Sequence, residues 1–114
     1  MITFVESAAF TSVWSAFADP DELRALMQTL ALDPRSGVPL RGCSVLRKVR
    51  FPCRSMARGA RGGLRVIYLH TPRADRIDLL AAFAKSDQSN LSDRELRSLC
   101  KHARAIRTRI GGTP

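Results

Sequence analysis

The sequence predicts a small α+β domain with element order βααβββα, in which a helical hairpin and a C-terminal helix pack on a largely antiparallel sheet. Three observations carry this. Two stretches between Phe10 and Leu30 repeat apolar residues at helical spacing, three short strand-like runs follow between Leu46 and Ala84, and a capped amphipathic stretch begins at Ser92. With 114 residues, 45% of them hydrophobic, the chain is long enough for one domain with its own core. We place that domain at residues 1–110 and a flexible tail at 111–114.

Ile2-Thr3-Phe4-Val5 has the β-branched and aromatic character of a short first strand. Phe10, Val13, Trp14 and Phe17 then fall at i, i+3, i+4 and i+7, one stripe of a helix that faces a core. A second helix opens with Asp19 as N-cap, Pro20 at the first helical position and Glu22 completing a capping box. Leu23, Leu26, Met27 and Leu30 continue the inward face until Asp33-Pro34 ends it. Arg35 to Ser44, with Gly37, Pro39 and Gly42 and no periodicity, reads as a connecting loop.

Leu46 to Phe51 reads as a strand whose alternation sends Lys48 and Arg50 to the face opposite Val49, about 7 Å apart. Pro52 to Gly63 is expected to be a loop or wide hairpin connection, where Arg54, Arg58 and Arg61 interleave with Gly59, Gly62 and Gly63 so that the backbone can approach a phosphate closely. Leu64 to His70 is the returning strand. Ile77 to Ala84 is apolar on both parities except at Asp78, as expected of a central strand covered on both faces, and Lys85 follows it. The last helix has Ser92 as N-cap, Glu95 completing a second capping box, Leu91 placed to staple against Leu96, and an apolar stripe through Leu99, Cys100, Ala103, Ile106 and Ile110.

Charge is distributed unevenly. Residues 1–33 hold one base against five acids, whereas residues 34–76 hold eleven bases against one acid, within a formal net charge of +9. A localised positive field on a small protein points to phosphate, hence to nucleic acid or a ribosome, ahead of a neutral metabolite. Cys43, Cys53 and Cys100 form no CxxC pair and leave one over, so we read neither a disulfide framework nor a zinc site, and expect a reducing cytoplasm. No apolar run approaches the roughly 18 residues that a membrane helix needs, and the start of the chain lacks a signal pattern. No acid or histidine cluster has ligand spacing, and no Walker loop or dinucleotide fingerprint is present, so neither a metal nor a cofactor is expected.

Four blocks in fixed order carry a resemblance: Gly42-Cys43-Ser44-Val45-Leu46-Arg47-Lys48, Arg58-Gly59-Ala60-Arg61-Gly62-Gly63, Arg65-Val66-Ile67-Tyr68, and Phe83-Ala84-Lys85 through Leu91. Following a helical hairpin, they resemble the RelE/HigB-type toxins of bacterial type II toxin-antitoxin systems. The resemblance implies a ribosome-dependent mRNA endonuclease held inactive by a cognate antitoxin, with attack of a ribose 2′-oxygen on the adjacent phosphorus. Carried over by position, it implies catalytic roles for Lys48, Arg50, Arg65 and Lys85. Lys48 would be the base, Arg50 and Arg65 the transition-state stabilisers, and Lys85 a proton donor or phosphate grip; Arg47, Arg58 and Arg61 would be RNA contacts. Ser86, Asp87, Asn90 and Ser44-Val45 depart from the family pattern, and the general acid is unassigned. Two alternatives stay open: a ParE-like poison of DNA gyrase, which shares the fold, and a non-catalytic basic module that binds ribosome or nucleic acid.

Overall fold

The computed structural model describes residues 1–53, 63–84 and 91–111. The chain runs β1 (Thr3–Glu6), α1 (Ala8–Phe17), α2 (Pro20–Leu32), β2 (Val38–Leu40), β3 (Cys43–Phe51), β4 (Leu64–Thr71), β5 (Arg76–Ala84) and α3 (Asp93–Arg109). The sheet order is β1-β5-β4-β3-β2. β1 lies parallel to β5, and every other neighbouring pair is antiparallel.

Local chemistry sets the helix boundaries. Ser7 caps α1 by accepting the amide of Phe10 at 3.0 Å, and its hydroxyl donates to the carbonyl of Leu80 at 2.8 Å, which anchors the helix start to β5. Both expected capping boxes form, Asp19 with Glu22 on α2 and Ser92 with Glu95 on α3. Each satisfies two amides that the first turn of a helix otherwise leaves without partners.

The strands alternate between two cores, one on each face of the sheet. Leu64, Val66 and Tyr68 of β4, with Ile77 and Leu79 of β5, meet Phe10 and Trp14 of α1 and Leu26 and Leu30 of α2. Ile67 and Leu69, with Leu46 of β3 and Leu80 and Phe83 of β5, meet Ala103 and Ile106 of α3. β5 is therefore covered on both faces, as its composition implies. A register shift opposite Ile67/Tyr68 lets Leu80 join the α3 side of the core.

Two expectations are corrected. The stretch read as a connecting loop contains β2, a three-residue edge strand paired with β3. It is too short to show a period, and Pro39 is tolerated because an edge strand has one side without ladder bonds. The cysteines are not scattered in space: Cys43 at the start of β3 and Cys100 in α3 form a disulfide across 57 residues, with their Cα atoms 5.9 Å apart. Cys53 remains a buried thiol, and the inference from scattered cysteines to a reducing compartment loses its ground. No helix among the described residues is long and apolar enough to cross a membrane.

Tyr68 fixes the start of the β2–β3 unit. Its hydroxyl donates to the carbonyl of Pro34 at 2.7 Å and accepts the amide of Gly37 at 3.0 Å. Burial pushes the phenol up in pKa, opposed by the bond from Gly37. A Cβ on Gly37 would sit 2.8 Å from the ring and 2.9 Å from the carbonyl oxygen of Lys48, so only glycine allows this approach. Gly37→Ala is expected to destabilise the fold by about 1–3 kcal/mol through overpacking. A urea transition measured on the variant checks this, and an unchanged midpoint would contradict the contact.

Candidate functional site

The site starts from the pleat of β3. Val49 and Phe51 pack toward the helical hairpin, and Leu46 packs toward α3. Alternation then places Lys48 and Arg50 on the α3 face, along the strand beyond Leu46. The register brings in β4: Lys48 lies opposite Ile67, and Arg50 lies directly opposite Arg65, which in turn faces Phe83 of β5. Three cations thus share one face of two adjacent strands, at the end of the sheet reached by the C-terminal half of β3. Arg50 is exposed, and Lys48 and Arg65 are half-buried. Like charges directly opposite in a sheet repel, and an anion bound between them relieves the repulsion. A phosphate is an anion with enough acceptor oxygens to meet several cations at once.

Lys48 also lines a cleft of about 310 Å³ formed with Val38, Pro39, Leu40 and Arg41 on one side and Leu91, Asp93 and Leu96 on the other. Asp93 is the one carboxylate on that wall among the described residues. Reading the sequence missed Arg41 and Asp93 as neighbours of Lys48. The capping box at Ser92 marks Asp93 as a first-turn residue, but only the packing of α3 against β2 and β3 brings that turn to the lysine.

Arg47 is placed differently from its neighbours. It lies on the opposite face, across from Tyr68, and its Nη1 donates to the carbonyl of Gly37 at 2.7 Å and more weakly to that of Arg35 at 3.4 Å. Its guanidinium braces β3 against the 34–37 turn, on the face of the sheet away from Lys48. Lys85, Arg58 and Arg61 lie outside the described residues. Among the described residues, no three His, Cys, Asp or Glu side chains are grouped so as to hold a metal ion. Of the two histidines, His102 is exposed on α3 and His70 is half-buried at the end of β4. Neither lies on the strand segment that carries Lys48, Arg50 and Arg65.

The class of architecture that these elements define is the RelE-like fold: a helical hairpin on one face of a mixed five-stranded sheet, with the C-terminal helix on the other. A crystal structure of the isolated Escherichia coli RelE toxin superposes on the chain with a TM-score of 0.54, covering 90% of this chain and 99% of that one at 12% sequence identity. At that identity the likeness is one of fold. No protein-family model matches the sequence.

Proposed function

We propose that the chain is a RelE-type toxin, a ribosome-dependent mRNA endoribonuclease that cuts translated message in the cytoplasm and is neutralised by a cognate antitoxin. The observation that carries this reading is the gathering of Lys48, Arg50 and Arg65 on one sheet face within a RelE-like fold. The reaction begins with loss of the proton from a ribose 2′-hydroxyl. The 2′-oxygen then attacks phosphorus, the bond to the 5′-oxygen breaks, and that oxygen takes up a proton. A 2′,3′-cyclic phosphate and a 5′-hydroxyl result.

Lys48 is the base in this reading. Arg50 and Arg65, facing each other across the ladder, donate to the non-bridging oxygens, where charge grows in the transition state. Lys85 follows β5 directly in sequence and is assigned to the leaving oxygen or to the grip on the phosphate. Arg58 and Arg61, between β3 and β4, are assigned to RNA backbone contacts. No metal is required, because these cations answer the phosphate charge. Positioning of the message in an in-line geometry is left to the ribosome.

Primer extension on a translated message tests this. Cleavage on translating ribosomes that persists with a chelator, under conditions that leave the ribosomes intact, is the expected result, with naked RNA cut far more slowly. Comparable cleavage of naked RNA would overturn the reading. An intact message together with accumulation of gyrase–DNA cleavage complexes would replace it with the ParE-like alternative.

A further inference from the structure

A second group of cations lies toward the other end of β3, where its first residues meet the end of β4 and the last turn of α3. Arg35, Ser44, Val45, Arg47, His70, Pro72 and Arg107 line a cavity of about 210 Å³ there. Three arginines, a histidine and a serine are among its lining residues, and among the described residues no carboxylate lies on its wall.

Two of the guanidiniums are already held in place. Nη2 of Arg107 donates to the carbonyl of His70 at 2.6 Å, and Nη1 of Arg47 donates to that of Gly37 at 2.7 Å. Each guanidinium has five N–H donors, so these bonds orient the group and leave others for a ligand. Arg47 and Arg107 are both half-buried, which makes an anion at this position worth more than one on an open surface.

We propose that this cavity is a phosphate-binding subsite, separate from the Lys48 face, that takes one phosphate group between Arg35, Arg47 and Arg107 with Ser44 as a further donor. The three arginines come from three parts of the fold: the turn after α2, β3 and α3. They approach from different directions, which suits the tetrahedral set of oxygens on a phosphate better than the planar pair on a carboxylate. The phosphate can belong to an RNA backbone or be free in solution, and both present the same oxygens. The assignment stands on the cavity and does not depend on the cleavage reaction.

His70 reports on the occupant. Burial holds its pKa below the ordinary imidazole value, reinforced by Arg107 and then Arg47 and opposed by Asp75. A bound phosphate adds negative charge beside the ring and shifts it back upward. The chain has two histidines, and His102 lies outside this cavity, so it serves as an internal control.

The experiment follows both imidazoles of the full chain by NMR through a pH titration at constant ionic strength. The runs use sodium chloride, inorganic phosphate, a short oligoribonucleotide without terminal phosphates, and a glutamate-rich peptide. The expected result is that phosphate moves the His70 midpoint to higher pH while His102 stays fixed. Arg35→Gln, a change at an exposed side chain outside the core, should weaken this response about tenfold or more, as loss of a charge-assisted bond implies. If the oligonucleotide reproduces the shift, the occupant is a backbone phosphodiester; if only inorganic phosphate does, it is free phosphate. The proposal is overturned if the two histidines move together, if chloride or the acidic peptide moves His70 as far, or if Arg35→Gln binds phosphate as tightly as the parent.

Discussion

Lys48→Ala and Arg65→Ala are each expected to lower ribosome-dependent cleavage by on the order of 100-fold or more, the usual loss when one group aimed at developing charge is removed. Both side chains are half-buried on the sheet face beyond α3, and neither belongs to the two hydrophobic cores. Both variants should therefore still fold, and urea transitions measured beside the cleavage assay allow the rate to be expressed per folded molecule. Lys48→Arg separates the two roles a lysine could have. It keeps the positive charge but replaces an amine that can lose a proton with a guanidinium that cannot. If Lys48 is the base, the arginine variant is as inactive as the alanine variant. If it only holds phosphate, activity largely returns. Arg47→Ala differs in kind: its guanidinium braces the 34–37 turn from the opposite face, so here stability should fall. A folded Lys48→Ala/Arg65→Ala double variant that still arrests growth on expression would remove the catalytic assignment.

How much of this could be read in advance follows from the range over which each interaction acts. The capping boxes at Asp19 and Ser92 span three residues, so both helix starts are legible in the sequence and recur in the structure. The alternation of β3 puts Lys48 and Arg50 on one face by the same local logic, and β5 declares itself central because both of its parities are apolar. What could not be read depends on contacts between distant segments. Val38-Pro39-Leu40 carries no strand signal of its own and becomes β2 because β3 offers it a free edge. Arg47 sits in a run of cations and looks like its neighbours, yet alternation sends it to Tyr68 and the 34–37 turn, and only the fold shows that carbonyls wait there. Asp93 reaches the Lys48 cleft through the packing of α3 against the β2 edge, a relation between residues 45 apart in the chain. The pairing of Cys43 with Cys100 belongs to the same category.

Reducing that disulfide is expected to cost about 4 kcal/mol of unfolding free energy, the loop-closure value for a bridge that spans 57 residues. The bridge joins the fully buried start of β3 to the half-buried middle of α3, beside the core that Leu46, Ala103 and Ile106 form. Without it, α3 is held to the sheet by its apolar stripe and by the bond from Arg107 to the carbonyl of His70. A 114-residue domain with a stability in the ordinary range would lose a large share of it. Denaturant unfolding with and without a thiol reductant measures the difference. Cys43→Ala/Cys100→Ala should reproduce the reduced protein, with a correction for the thiols' packing. Thiol counting supplies the independent check: in denaturant without reductant, one of the three cysteines should react, namely Cys53, whose thiol is buried in the folded chain. Three reactive thiols would show that the bridge is absent. One reactive thiol with identical midpoints in the oxidised and reduced forms would show that the bridge adds nothing to the other contacts that hold α3.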